Sequence, residues 1–429
     1  MALKAQQHLV KSRELQRKLY RTAKLCRERR FHALFDRIYR PDVLLRAWEE
    51  VRTNGGAPGI DNVSIEDIES SDVKAYLEEL ATVLRENRYH PQPVKRVYIP
   101  KPDGRKRPLG IPTVRDRIIQ QACRIVIEPI FEATFEDCSY GFRPKRGAQQ
   151  ALREVKESLV RGWYVIDADI VGFFDNIKHD VLMSLLQRRI SDKRTLKLIR
   201  LWLEAGIIEN GQFAPTTCGT PQGGVISPLL ANIYLHVLDR YWHLHGANLG
   251  KLVRYADDFV IVCRSRSQAS EAMEKVKTLL GKLQLSLHPE KTKIVKMDEG
   301  GFDFLGFHFH KCVSRRSGKL VPLAWPSVKA MKRIRSSIKE RMGSRWLRID
   351  VREIIPSLNR IIMGWRNYFC AFNGTRQLQS LDSYVFLRMR YFYYRKLGNR
   401  GRCKRALFER WLEKCKVEHF FHAGKLKVA

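Results

Sequence analysis

The segment 253–263, Val-Arg-Tyr-Ala-Asp-Asp-Phe-Val-Ile-Val-Cys, places two adjacent carboxylates, Asp257 and Asp258, where two apolar strand-like runs meet. Short runs rich in branched and aromatic residues fold as strands with at least one buried face. Burying such strands around neighbouring acids is unfavourable unless a cation compensates the charge. A second segment, 163–170 (Trp-Tyr-Val-Ile-Asp-Ala-Asp-Ile), reads as another strand, with Asp167 and Asp169 two residues apart and therefore on one face. An Asp from one strand and an Asp-Asp tip on a hairpin form an oxygen-only ligand set of the kind that holds magnesium alongside substrate phosphates. Two such ions about 4 Å apart serve phosphoryl transfer, one activating an attacking 3′-hydroxyl and one neutralising the leaving pyrophosphate.

Charge distribution says what the substrate is. The 429-residue chain carries 79 basic and 45 acidic side chains, a formal net charge of +34. Residues 1–40 hold 12 basic and 3 acidic groups, and residues 311–429 hold 29 and 7, so the excess lies at the two ends. The intervening stretch is almost balanced, with 38 basic against 35 acidic. Cations concentrated this way favour a polyanionic partner, because each one laid on a phosphate releases condensed counterions. No stretch approaches the roughly 18 apolar residues of a membrane-spanning helix, so no membrane partner is expected. The nine cysteines include no Cys-x-x-Cys pair, which suits free thiols in a reducing compartment. Segment 1–30 is basic but lacks the apolar stretch of a secretory signal, and its single serine, Ser12, argues against an organellar transit peptide. A bacterial cytoplasmic location is expected.

Leu9, Leu15, Leu19 and Leu25 in a Lys/Arg background predict a basic helix within 1–35, either docked on RNA or solvated. Residues 99–104 predict the turn of a two-stranded hairpin, and Ile118, Ile119, Ala122, Ile125 and Val126 predict a buried helix face. Towards the C-terminus three amphipathic helices are expected. The first is capped by Ser327 and presents Val328, Met331, Ile334, Ile338 and Met342. The second presents Ile354, Leu358, Ile361, Ile362, Trp365 and Phe369, and the third Leu381, Tyr384, Val385, Arg388, Tyr391 and Phe392 before Gly398.

A Tyr-x-Asp-Asp tetrapeptide alone is weak evidence, but Tyr255–Asp258 is one of an ordered set of segments. Those segments are Asn54–Asp61 (Asn-Gly-Gly-Ala-Pro-Gly-Ile-Asp), Ile99–Pro102 with Arg107–Pro112, Ser139–Pro144 (Ser-Tyr-Gly-Phe-Arg-Pro) and Asp169–Asp175 (Asp-Ile-Val-Gly-Phe-Phe-Asp). Gly219–Gly224 running on to Asn232, His288–Thr292 and Phe304–Phe307 complete it. Together they tile about 55–310, and the chain resembles the reverse transcriptases, specifically those encoded by group II introns.

The resemblance implies an α+β right-hand polymerase fold: a basic extension over 1–40, fingers and an antiparallel-sheet palm over 41–310, and a helical thumb and maturase domain over 311–429. It implies that Asp169, Asp257 and Asp258 are the metal-binding carboxylates and that two Mg2+ ions are the cofactors. Asp167 is then a decoy, and Asp175 is expected to cap the helix after its strand. Lys101 and Arg107 fall where the family holds the incoming triphosphate, and Phe174 matches the ring that would clash with a ribose 2′-hydroxyl. Gln222 and Gly223, with Gly224, match the turn that approaches template and nucleotide closely. Leu305 and Gly306 match the primer grip, and Lys291 matches a family lysine in the palm.

Ile362–Phe369 (Ile-Met-Gly-Trp-Arg-Asn-Tyr-Phe) resembles the core of the maturase-specific domain, which implies intron RNA as a partner beside an RNA template, a DNA primer and a DNA target. Interleaved basic and aromatic residues suit structured RNA, although Trp365 and Phe369 themselves read as core. Many relatives continue into a His-Asn-His nuclease. Here Cys403, Cys415, His419 and His422 match no zinc spacing, so no endonuclease is expected and the primer would be made elsewhere. Reverse transcriptases recruited to defence or repair, non-enzymatic splicing factors and RNA-copying palm polymerases remain alternatives. The sequence leaves open whether the chain works as a dimer.

Overall fold

The computed structural model describes residues 2–100, 104, 106–314, 318–397 and 405–421. Lys101, Gly398, Cys403 and His422 lie outside the described residues. The chain divides into two compact units. Unit 1 comprises Met1–Gly147, Ala168–Ile261 and Ser267–Lys293; unit 2 comprises Ala148–Asp167, Val262–Arg266 and Ile294–Ala429. Helix and sheet are mixed in both.

Unit 1 is built on the helix Val114–Glu132. Its first turn is capped by Thr113, whose hydroxyl accepts the Asp116 amide at 3.1 Å. Ile118, Ile119, Ala122, Val126, Ile127 and Ile130 are all fully buried, so this helix is core on nearly every side. Against it pack Pro41–Asn54 and the N-terminal helix Ala2–Leu25. The expectation of a solvated N-terminal helix needs correction. Leu15, Leu19 and Ala23 form a buried stripe, and Gln16 donates to the Ile125 carbonyl at 3.0 Å and accepts from Arg46 at 2.8 Å. Neighbouring helices supply the apolar partner that a helix read alone lacks. Leu25, beyond that contact, stays 84% exposed.

Eleven named strands follow in chain order. The predicted hairpin is β1 (Val94–Pro100) with β2 (Lys106–Ile111), antiparallel and with Ile99 opposite Arg107. Then come β3 (Tyr164–Ala168), β4 (Ile207–Glu209), β5 (Gln212–Ala214), β6 (Lys251–Tyr255), β7 (Asp258–Cys263) and β8 (Lys293–Lys296). The last three are β9 (Phe302–Phe304), β10 (Phe307–Val313) and β11 (Leu320–Pro326). One sheet of unit 1 runs β2-β1-β4-β5, and a second sheet runs β6-β7-β3-β8.

Unit 2 contains the antiparallel sheet β11-β10-β9 and the helices Val328–Arg341, Val351–Phe369, Thr375–Lys396 and Arg405–Cys415. Ser327 caps the first, accepting the Ala330 amide at 3.2 Å. Met331, Ile334, Ile338, Leu358, Ile362, Leu381, Val385 and Phe392 form a shared core, joined by Met389, Phe408 and Phe420. Two expected core residues face outwards: Val328 is 70% exposed and Tyr391 55%. Val328 lies in a first turn that the bundle does not cover, and Tyr391 lies roughly 120° around its helix from Val385 at 100° per residue.

Leu19→Ala should therefore lower the unfolding free energy by about 2–5 kcal/mol. Leu25→Ala should change it by less than about 0.5 kcal/mol. Urea unfolding of the two variants checks both.

Candidate active site

The Asp-Asp turn is fixed from behind. Strands β6 and β7 are joined through Ala256 and Asp257, with Ala256 at φ 58°, a left-handed conformation that costs a non-glycine residue about 1–2 kcal/mol. The turn is braced by Arg254, which is completely buried. Its guanidinium pairs through two nitrogens with Asp239, itself fully buried, and donates to Asn232 Oδ1 at 3.1 Å, Ser139 Oγ at 2.8 Å and the Ala256 carbonyl at 2.8 Å. Burial works against its charge, but the pairing with Asp239 outweighs this and holds its pKa above the ordinary value. Main-chain bonds finish the frame: the Arg254 amide donates to Cys138 O at 2.8 Å, and Tyr140 N donates to Arg254 O at 2.9 Å. Gly141 lies flat on the turn, where a Cβ would sit 2.4 Å from the Ala256 nitrogen; only glycine allows that approach.

Asp169 follows β3 directly. The chain beyond it is zipped to residues 286–292: Val171 N donates to Ser286 O at 3.0 Å, His288 N to Asp169 O at 2.8 Å, and Ile170 bridges Leu287. This lays the Lys291 ammonium on the Asp169 carboxylate as an ion pair, both side chains partly exposed. Burial, aided by the negative charge of Asp169, pushes the Asp257 carboxyl above its ordinary pKa, while Arg107 and Arg254 pull the other way. Asp258 is exposed. Among the described residues, no three Asp, Glu, His or Cys side chains are gathered at metal-ligand spacing. The oxygen-only donors and the mutual electrostatic pressure of Asp169 and Asp257 nevertheless fit a hard divalent ion, which would relieve that pressure.

A cavity of about 1150 Å3 opens beside the turn, and Arg107, Phe174, Gln222, Gly223 and Asp257 line it. Arg107 projects from β2 and donates to Gln222 Oε1 at 3.0 Å. The Gln222 loop is pressed on the same strand. Gly110 N donates to Gln222 O at 2.7 Å, and Gly223, at φ 113°, would place a Cβ 2.6 Å from Gly110 O. Phe174, half-buried, rests edge-on against Phe173 at 5.4 Å. Its carbonyl accepts the Thr220 amide at 2.8 Å, so ring and Gln222 loop form one rigid wall. Arg46 and Arg124 also line the cavity but are taken by Glu50 at 2.8 Å and Glu128 at 2.9 Å. Arg107 has no carboxylate at ion-pair distance among the described residues, which leaves it able to hold an anion.

Asp175 does not cap its helix. Gly172 occupies the N-cap without a side-chain bond, because the left-handed turn at φ 48° needs glycine there. The Asp175 carboxylate instead lies 3.5 Å from Gln222 Nε2. Leu305 and Gly306 form the β9–β10 turn in unit 2, both with positive φ. The Leu305 carbonyl accepts the Tyr368 hydroxyl at 2.9 Å, and Gly306 O accepts the Ser327 amide at 2.9 Å. Sequence reasoning missed Arg254, Asp239 and Phe142, the last lining the cavity at φ 57°. A cation inside the apolar run Leu252–Tyr255 was the available signal.

Comparison with known proteins agrees with this geometry. Residues 99–309 match the family model of the reverse transcriptases (RNA-dependent DNA polymerases), and residues 331–411 match the group II intron maturase-specific domain. The chain is 37% identical over 343 residues to the protein YkfC of Escherichia coli (strain K12), across 71% of this chain and 89% of that one. It is 34% identical over 355 residues to the group II intron-encoded protein LtrA of Lactococcus lactis subsp. cremoris, covering 68% of this chain and 58% of LtrA. An uncharacterized 91 kDa protein in the cob intron of Schizosaccharomyces pombe is 30% identical over 407 residues, 78% of this chain and 50% of its own length. The chain thus spans only half to three-fifths of the two intron-encoded relatives. It belongs to the reverse transcriptase family. Within that family it is of the group II intron type, with a maturase-specific domain following the polymerase region.

Asp239→Asn leaves the buried Arg254 guanidinium without its counter-charge and should destabilise unit 1 by about 3–5 kcal/mol. A urea titration should show an earlier transition for this variant.

Proposed function

We propose that the chain is an RNA-directed DNA polymerase that also binds intron RNA, assists its splicing and supports its insertion into DNA. The carrying observation is that Asp257, Arg107, Gln222, Gly223 and Phe174 line one cavity, with Asp169 electrostatically coupled to Asp257. The family membership and the motif order support a right-hand layout: fingers and palm over 41–310, thumb and maturase domain over 311–429, and a basic extension over 1–40. A cytoplasmic site of action accords with the reduced-thiol pattern.

The roles follow from chemistry. Asp169, Asp257 and Asp258 would hold two Mg2+ ions. When bound, these supply Lewis-acid activation of the primer 3′-hydroxyl and charge neutralisation at the leaving pyrophosphate. Lys291 holds the Asp169 carboxylate in place. Arg107, joined by Lys101, binds the triphosphate, a task suited to a forked guanidinium that has no carboxylate partner among the described residues. Gln222 orients that guanidinium through its 3.0 Å bond, and Gly223 keeps the backbone close to the nucleotide. Phe174 stands where the sugar edge would pass and excludes a 2′-hydroxyl. Leu305 and Gly306 contact the primer through their tight turn. In unit 2, the surplus of 29 basic over 7 acidic groups across 311–429 supports binding of intron RNA.

Primer extension on an RNA template with deoxynucleotides and magnesium tests the first half. Wild type should give full-length complementary DNA and Asp257→Ala none; product from both would remove Asp257 from the metal site. Phe174→Ala should retain deoxynucleotide incorporation and lose roughly 10- to 200-fold of its discrimination against ribonucleotides. An unchanged ratio would return Phe174 to the core. Splicing of the flanking intron with added protein tests the second half, which fails if the protein neither binds nor accelerates it at moderate salt.

A further inference from the structure

Unit 2 carries three aromatic rings flanked by arginines, of which Tyr391 is exposed while Tyr384 and Trp346 are half-buried against the core. On the helix Thr375–Lys396, Tyr391 is 55% exposed, with the Arg388 and Arg395 guanidinium carbons each 5.7 Å from its ring centre. Tyr384, on the same stripe, has Arg335 at 5.9 Å, and Arg335 also reaches Ser380 Oγ at 3.0 Å. At the other end Arg395 donates to Ser344 Oγ at 2.8 Å, tying the stripe to the turn that carries Trp346. The Trp346 ring lies 5.0 Å from Arg341 and 5.3 Å from Arg345. Positions 384, 388, 391 and 395 fall on one side of the helix, over roughly 16 Å at 1.5 Å per residue.

We infer that this stripe is a stacking platform for unpaired bases of an RNA strand. The inference rests on the proposed binding of intron RNA by this region and specifies the form of RNA it reads. Tyr391, more than half exposed between two arginines, offers a π face beside their charge. A face that met only duplex phosphates would need the cations and gain nothing from the rings, since the bases of a duplex are already stacked on each other. Arginines on either side of the exposed Tyr391 ring, with the half-buried Tyr384 and Trp346 beside them, supply both halves of single-strand recognition, phosphate contact and a π surface for a splayed base. The cationic surplus of 311–429 fits the same polyanion.

The test is a binding titration of the full chain with an RNA hairpin bearing an unpaired loop, a fully paired RNA duplex and a single-stranded DNA of the loop sequence. Tyr391→Ala should weaken loop binding roughly 5- to 150-fold without changing its salt dependence. Duplex binding should hold, the single-stranded DNA should lose affinity along with the loop because stacking needs no 2′-hydroxyl, and Tyr391→Phe should restore both. The Arg388→Ala, Arg395→Ala double variant should instead flatten the salt slope by about two. Unchanged thermal midpoints would exclude unfolding, as expected for exposed positions. Equal losses on loop and duplex, or no loss on either, would overturn the platform while leaving RNA binding intact. Tighter binding of the wild type to the DNA than to the RNA loop would assign the stripe to a DNA strand and overturn the RNA assignment. If wild type bound none of the RNAs, the proposed binding of intron RNA would itself fall.

Discussion

The buried pair of Arg254 and Asp239 is the interaction on which the candidate site depends. Taking two charges out of water is expensive, and such a pair is tolerated only when hydrogen bonds satisfy the remaining donors. Here they do: Asn232, Ser139 and the Ala256 carbonyl take the free N–H groups. One side chain thereby joins the helix Ser227–His245, the Ser139–Gly141 segment and the hairpin turn bearing Asp257. Lysine, a point donor, could not bond four partners in a plane. The pair is better understood as fixing a unique backbone path than as adding net stability, because apolar residues of equal volume would be cheaper to bury but could not hold a left-handed alanine in place.

A second device recurs around the cavity. Main chain rests directly on main chain, with glycine removing the side chain that would separate them. Gly141 rests on the Ala256 peptide, Gly223 on the Gly110 carbonyl, and Gly219 on the carbonyls of Phe174 and Asp175. Loops held this way lose the freedom that surface loops usually keep. Arg107, Phe174 and Gln222 consequently face one space as a set, and a Cβ at any of these glycines would move a wall by several tenths of an ångström or more. That is a large error where reacting atoms must meet at about 3–3.5 Å.

Much of this was legible in the residues. The apolar runs around Asp257 and before Asp169, the Ser327 cap and the buried face of Ile118 to Val126 are local signals, and local structure followed them. What escaped depends on partners far away in sequence. Leu15 and Leu19 are core only because Val114–Glu132 and Pro41–Asn54 cover them. Asp175 has the right residue type for a cap but is one of the helix's own residues, and Gly172 takes the cap for its backbone freedom. Arg254 finds Asp239 fifteen residues upstream, on a separate helix, a pairing that no spacing rule signals. The surroundings of the expected carboxylates escaped the sequence too: Lys291 holds Asp169, and Asp258 faces solvent.

The charge distribution and the two nucleic-acid surfaces follow from one rule. A chain with 79 cations attracts a polyanion everywhere, and general attraction positions nothing. In the cavity, acids are numerous enough to claim the other cations, Arg46 by Glu50 and Arg124 by Glu128, so that Arg107 is left for a small anion at a defined point. Over 311–429 acids are too few to do this, with 7 against 29. The first arrangement suits one phosphate group; the second, under the proposed function, would bind a long strand at many points and leave the choice of strand to whatever stands between the charges. On unit 2 that is a row of aromatic rings, and rings read the state of the bases rather than the count of phosphates.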